Sequence, residues 1–227
     1  MKNIDKSLES VRQQIRAAET EFERIPGSVR LVAVSKTRSW TDIQAAINAE
    51  QFEFGENYVQ EAIDKIGRIR DERVVWHFIG PVQSNKTRLI ARHFDWLHSI
   101  DRMKIAQRLS DARPDNLPPL NVCLQVNISG EKTKSGITLA ELPALLGDCS
   151  SLPGLAVRGL MTIPEPVHDF SKQRQPFRQL KQALVQLNQQ GCPLDTLSMG
   201  TSDDFRAAIA EGSTLVRIGT SIFGARG

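Results

Sequence analysis

The chain has 227 residues, of which 40% are hydrophobic and 24% charged, and its net charge is +3. That length holds one large domain or two small ones, and a weak, dispersed positive charge gives no footprint for nucleic acid. The three cysteines, Cys123, Cys149 and Cys192, are widely spaced and the four histidines scattered, a pattern that excludes a disulfide framework or a spaced metal site and fits a reducing, cytoplasmic compartment.

The N-terminus, MKNIDKSLESVRQQ, lacks the apolar segment of a signal peptide, and no apolar run approaches the roughly 20 residues of a membrane span. Ile4, Leu8, Val11, Ile15, Ala18 and Phe22 recur at spacings of four and three, which predicts an amphipathic helix within 1–25, ended by Pro26-Gly27. A strand over 29–36 follows, and its run Leu-Val-Ala-Val into Ser35 and Lys36 reads as buried on both faces. Thr41-x-x-Gln44 predicts a capping box for a helix with Ile43, Ala46 and Ile47 on one face. A short strand over 52–55 leads to a helix over 57–69, with Val59, Ala62, Ile63 and Ile66 at helical spacing. A strand over 74–79 closes on Gly80-Pro81, and a helix over 84–92 carries Lys86, Arg88 and Arg92 as a solvated basic face.

The alternation continues with a strand over 94–100 and a helix through Leu109, for which Asp101 is the expected cap. After a turn-rich connector at 114–119 comes a strand over 120–128 and a polar loop, 129–136. Lys132 and Lys134 in that loop either lie in water or cover a site. Thr138-x-x-Glu141 predicts a second capping box, opening a helix to about residue 146. A strand over 155–163 precedes a long helix over 170–190 carrying Phe177, Leu180, Leu184 and Leu187. A strand over 196–199, a helix opened by Thr201-x-x-Asp204, and a strand over 214–218 complete the pattern.

Strands alternating with helices imply parallel crossovers and an α/β class. Eight such units predict a (β/α)8 TIM-type barrel, a single domain over 1–227 with an extra N-terminal helix. An open doubly wound sheet is the alternative.

In a barrel, functional groups gather where strands end. Lys36 ends the first strand. It either snorkels to water or is a desolvated amine able to form a Schiff base with an aldehyde. Ser198-Met-Gly200-Thr201-Ser202 combines a glycine, three hydroxyls and a helix start, which suits a phosphate. Gly219-Thr220-Ser221 offers a second set of amides and hydroxyls at the adjacent strand end. Each alone is compatible with a capped helix or a tight turn. A lysine facing a phosphate cradle suggests pyridoxal 5′-phosphate as cofactor. Arg217 would then reach its pyridine nitrogen, and as a permanent cation it would leave that nitrogen unprotonated; its other reading is a barrel-mouth ion pair. Asn57 either bonds the cofactor or caps its helix. Met161 either packs on the ring or belongs to the core.

Six stretches carry a resemblance. Val34-Ser-Lys36-Thr, Phe54-Gly-Glu-Asn57-Tyr-Val-Gln-Glu61, Trp76-His-Phe-Ile-Gly-Pro-Val-Gln-Ser-Asn-Lys86, Gly159-Leu-Met-Thr-Ile163, Leu197-Ser-Met-Gly-Thr-Ser-Asp-Asp204 and Val216-Arg-Ile-Gly-Thr-Ser-Ile-Phe-Gly224 resemble the YggS/PROSC family of pyridoxal phosphate homeostasis proteins over nearly the whole chain. The resemblance implies a fold like the N-terminal barrel of alanine racemase, Lys36 as Schiff-base lysine, the 198–202 and 219–220 loops as phosphate holders, and Arg217 as the nitrogen partner. It implies cofactor binding and delivery to apo-enzymes, without a known reaction. Thr201 departs from the methionine or serine expected there, but its hydroxyl keeps the loop polar.

A small racemase-like enzyme is the competing reading. Two-base racemisation needs an acid–base group on each face of the substrate carbon. Alanine racemase draws its second, a tyrosine, from a further domain that this chain is expected to lack, and the one tyrosine here, Tyr58, opens a helix. A colourless sugar-phosphate barrel enzyme is a third. The expected partners are the cofactor and acceptor enzymes, not nucleic acid or membrane. A monomer is expected, although the first helix could close the barrel floor or join a dimer.

Overall fold

In the computed structural model, which describes residues 3–131 and 135–225, eight parallel strands pair in chain order and close on themselves. They are β1 (Arg30–Val34), β2 (Glu53–Glu56), β3 (Val75–Phe78), β4 (Trp96–Ile100), β5 (Leu120–Gln125), β6 (Leu155–Met161), β7 (Thr196–Ser198) and β8 (Leu215–Ile218). Closure is made by β1 against β8, with Arg30 opposite Leu215 and Ala33 opposite Ile218. The expected (β/α)8 barrel is the observed one.

The helices are α1 (Ile4–Glu21), α2 (Trp40–Asn48), α3 (Val59–Arg68), α4 (Thr87–His93), α5 (Met103–Ala112), α6 (Leu142–Ser150), α7 (Phe170–Gln189), α8 (Phe205–Ala210) and α9 (Thr220–Phe223). A 3-10 turn, Ser84–Lys86, leads into α4. Side chains alternate along each strand. Trp76, Phe78 and Leu97 join the main apolar core, while Trp96, Cys123 and Met161 form a separate cluster with Val75. In α7 the four residues placed on its buried face, Phe177, Leu180, Leu184 and Leu187, are all buried.

Helix α1 packs along α2, α8 and α9. Its Leu8, Val11, Ile15 and Ala18 are buried. It ends at Glu21, before Pro26-Gly27. Buried Glu19 accepts hydrogen bonds from the amides of Gly27 (3.0 Å) and Val29 (2.8 Å), so the carboxylate fixes the turn into β1.

Several expected caps are replaced. The box of α2 is formed by Ser39 and Asp42 rather than Thr41 and Gln44; an acidic partner in the first turn also complements the helix dipole. Asp101 does not cap α5: Arg102 holds that position, and Asp101 instead pairs with the Arg102 guanidinium at 2.6 Å. Asn57 does not cap α3, which starts after Tyr58 without a side-chain cap. Thr138 and Glu141 do make their reciprocal bonds, but regular helix starts only after Glu141, at Leu142. Strands β5 and β6 end earlier than their apolar runs, because Val126 to Ile128 and Thr162-Ile163 turn into the loops at the barrel mouth. Helix α9 was not expected; it lies directly after β8. Lys132 and Lys134 fall outside the described residues.

Candidate functional site

The mouth of the barrel holds a cavity of about 220 Å³. Lys36, Asn57, Thr201, Ser202, Arg217, Gly219 and Thr220 all line it, with Val34, Ile79, Ile163 and Asp203. Residues from the ends of β1, β2, β7 and β8 thus meet in one place. A neighbouring cavity of about 250 Å³ shares Asn57, Ile79 and Ile163 and is lined by Met161. Met161 is 1% exposed and packs in the inner cluster, so it forms the wall of the second space. Ser198 and Gly200 lie outside both linings.

The segment carrying Lys36 is held from beneath by a buried ion network. Glu56, at the end of β2, accepts the Ser35 hydroxyl at 2.6 Å and the Lys65 ammonium at 2.7 Å, both on Oε1. The same ammonium donates to the Ser35 carbonyl (2.7 Å) and to Glu61 (2.5 Å). Glu61 in turn accepts the Thr37 amide at 2.6 Å, and Thr37 has a positive φ of 63°. The residues on both sides of Lys36 are therefore fixed. Burial pushes the Glu56 carboxyl above its ordinary range, against the pull of Lys65.

Asn57 follows Glu56, and its side-chain Oδ1 is buried with no hydrogen-bond partner among the described residues. Its backbone is packed tightly: a Cβ at Gly80 would lie 2.5 Å from the Asn57 carbonyl oxygen, so only glycine fits there. An unsatisfied acceptor at a cavity wall costs stability unless a ligand donates to it.

Arg217 is 3% exposed. Its Nη1 donates to Ser198 Oγ at 2.5 Å and its Nη2 to the Thr162 carbonyl at 3.0 Å. Burial lowers its pKa to about 10, which still leaves it charged at neutral pH. Ser198 thus acts as a tether for Arg217, with its hydroxyl inside the barrel.

In the loop after β7, Asp204 Oδ1 accepts both the amide (2.6 Å) and the hydroxyl (2.9 Å) of Thr201. Gly200, at φ 97°, presses on α8, where a Cβ would come within 2.7 Å of the Ala208 methyl. Gly219 lets β8 approach β1, since a Cβ there would meet the Val34 carbonyl at 3.0 Å. These two glycines bring the 201–203 and 219–220 loops to the same cavity as Lys36.

The sequence did not single out Glu56, Glu61 and Lys65 as one support, although the i, i+4 pair Glu61–Lys65 is readable on α3. Nor did it link His77, His98 and Glu53 to Arg217. A roomier surface cleft of about 650 Å³, lined by Arg88, Arg92 and Arg108, lies between α4 and α5, apart from these residues. No group of histidine, cysteine and acidic residues among the described ones could hold a metal.

The family model for the alanine racemase N-terminal domain matches residues 7–227. Two relatives, from Escherichia coli K12 and Pseudomonas aeruginosa PAO1, are each 53% identical over the whole chain, covering 98% and 97% of their own lengths; both are named pyridoxal phosphate homeostasis protein. Among solved structures, PipY of Synechococcus elongatus PCC7942 with PLP bound is 38% identical, with a TM-score of 0.85 over 97% of this chain and 100% of its own. Alanine racemase from Corynebacterium glutamicum, at 17% identity and a TM-score of 0.66, shares the fold over 96% of this chain and 61% of its own.

Proposed function

Because the chain belongs to the pyridoxal phosphate homeostasis proteins, built on the alanine racemase N-terminal domain, we propose that it binds pyridoxal 5′-phosphate in the barrel-mouth cavity and takes part in vitamin B6 homeostasis. The observation that carries the reading is the convergence of Lys36, Arg217, Asn57 and two glycine-shaped loops on one space. Asn57 adds to it an acceptor, Oδ1, that no described residue satisfies, at the wall of that space.

In this reading Lys36 condenses with the cofactor aldehyde, losing water, and holds it as a Schiff base. Ser202, Gly219 and Thr220 hold the phosphate together with Thr201, and Asn57 and Arg217 hold the ring. Ser198 and Gly200 act one step behind, as tether and as loop hinge, and Met161 as wall. When bound, the cofactor supplies an electrophilic carbonyl and an electron-accepting ring. A guanidinium beside the ring nitrogen gives that nitrogen no easily lost proton, which weakens the ring as an electron sink.

That electrostatic choice supports a carrier that delivers the cofactor to acceptor apo-enzymes rather than a catalyst. Tyr58 is 54% exposed and does not line the cavity, so no tyrosine is placed to act as a second acid–base group. The three free cysteines support a reducing, cytoplasmic setting; no helix among the described residues is long and apolar enough to cross a membrane.

Visible spectra of the purified chain and of Lys36→Ala, each loaded with pyridoxal 5′-phosphate, test the binding. The wild type is expected to be yellow and the variant to lose the imine band; identical spectra would remove Lys36 from the proposal. Incubation of the loaded protein with L-amino acids, followed by assay of D-isomer and keto-acid, tests the carrier reading, which fails if turnover exceeds that of free cofactor.

A further inference from the structure

A column of polar side chains crosses the inside of the barrel behind Arg217. Arg217 Nη1 donates to Ser198 Oγ at 2.5 Å. Ser198 Oγ lies 2.7 Å from His98 Nδ1, and His98 Nε2 lies 3.0 Å from His77 Nδ1. His77 Nε2 is 3.3 Å from Glu53 Oε2, facing the carboxylate outside good hydrogen-bond geometry. Glu53 is held by Arg30 through two bonds of 3.0 and 2.8 Å. Both histidines and Ser198 are fully buried.

The proton positions follow from the chemistry of the two ends. An arginine only donates and a carboxylate only accepts. Burial opposes ionisation of Glu53, but the two bonds from Arg30 and the facing His77 outweigh it and keep the carboxyl below its ordinary range. Facing that carboxylate, His77 carries its proton on Nε2, which leaves Nδ1 as an acceptor. His98 must then donate from Nε2, and its own Nδ1 accepts. The Ser198 hydroxyl therefore gives its proton to His98 and turns its oxygen lone pairs to Arg217. Every link runs in one direction, and both imidazoles are neutral, as full burial favours.

We propose that His98 is a positioning residue for Arg217, acting through Ser198, and that His77, Glu53 and Arg30 fix His98 in the tautomer this requires. With Ser198 and the Thr162 carbonyl each taking one N–H, two corners of the guanidinium are pinned and its remaining donors are aimed by the column. Reversing the His98 tautomer would make the Ser198 oxygen accept from both Nδ1–H and Arg217, and would leave its own buried hydroxyl proton without His98 as acceptor, so the hydroxyl would have to turn away from the geometry that aims Arg217. The role rests on Arg217 being the group that meets the cofactor ring.

The full chain without cofactor, labelled with 15N at histidine and arginine, tests the column on its own. His77 and His98 are expected as neutral Nε2–H tautomers from pH 7 to 8, and solvent exchange of the Arg217 guanidinium protons to accelerate about two- to tenfold in Ser198→Ala and His98→Phe, the range set by one lost hydrogen bond. Ser198→Thr keeps the hydroxyl and should stay within about twofold of wild type. A His98 Nδ1–H tautomer, or unchanged exchange in Ser198→Ala, overturns the proposal. Loaded with pyridoxal 5′-phosphate, Ser198→Ala and His98→Phe should release it about two- to tenfold faster and shift its absorption maximum, while Ser198→Thr does neither. If the wild type binds no cofactor, the site reading fails, and the cofactor-free spectra still decide whether the column sets Arg217.

Discussion

Replacing Lys65 by methionine would test the support under Lys36 most directly. The side chain keeps its apolar stem but loses an ammonium that contacts Glu56 (2.7 Å), Glu61 (2.5 Å) and the Ser35 carbonyl (2.7 Å). Glu56 is fully buried. It would retain only the Ser35 hydroxyl on Oε1, and its Oε2 has no partner to begin with. Removing one partner of a buried pair costs about 3–5 kcal/mol, and we expect that loss in urea unfolding at pH 8, read at constant slope. The pH dependence has a definite sign. Burial already raises the Glu56 carboxyl above its ordinary 4.5, and Lys65 is the largest opposing influence. Without it the native state holds a proton that the unfolded state releases, so stability falls as pH rises from about 4.5 through the raised native value and is level above it. The deficit should therefore shrink as pH is lowered from 8 towards 5. The double variant Lys65→Met with Glu56→Gln, which removes both charges, should recover most of the loss at pH 8. A single-variant loss below about 1 kcal/mol, or one that grows on acidification, would refute the buried-pair argument.

Gly80→Ala should lower thermal stability by about 1–3 kcal/mol and weaken cofactor uptake, because its Cβ would lie 2.5 Å from the Asn57 carbonyl; calorimetry and spectral titration read both, and a neutral result would mean that this backbone yields freely. Asn57→Leu should separate the two quantities, leaving the cofactor-free chain as stable or more stable by about 1 kcal/mol, since Oδ1 has no partner to lose, while uptake weakens; parallel losses would argue for a structural role only. Burial pushes the Cys123 and Cys149 thiols up to about 12, so a thiol reagent should modify Cys192 alone in the native chain and the other two only on unfolding; early reaction of Cys123 would mean that the barrel interior opens.

The barrel was legible because two periods alternate along the chain. Runs such as Leu-Val-Ala-Val at 31–34 are too short for helices and too apolar for loops, and α7 repeats its buried residues at three and four. That Lys36, Asn57 and Arg217 meet at one cavity was legible because topology alone puts strand ends at one mouth. Ser198 looked like a phosphate contact because it stands two residues before Gly200 in a polar loop. Its hydroxyl instead turns inward, to Arg217 and His98. The histidine column was illegible for a different reason. His77 and His98 meet only through the pairing of β3 with β4, where His77 lies opposite Trp96 and Phe78 opposite Leu97; that register is a long-range property no local pattern encodes. The cap of α2 moved two residues, from Thr41 to Ser39, because serine, threonine and aspartate cluster at 39–42 and spacing alone does not say which hydroxyl is used.

A barrel interior is ordinarily filled with layers of branched apolar side chains. Here part of that volume goes to Arg217, Ser198, two histidines and the Arg30–Glu53 pair, a costly filling unless every polar atom is satisfied. The two ends of the column are treated differently. At the base, Arg30 meets a carboxylate in two bonds. At the mouth, no carboxylate among the described residues bonds Arg217; it has a hydroxyl and a carbonyl. Neutral acceptors satisfy its geometry without cancelling its charge, and burial accordingly lowers its pKa to about 10. The mouth is thus a place where a buried guanidinium is held by neutral acceptors and feels Asp204 only through its charge, with Lys36 lining the same cavity. On that account the fold reserves its carboxylate bonds for Arg30 at the base and gives Arg217, at the mouth, acceptors that fix its direction and leave its remaining donors to a ligand.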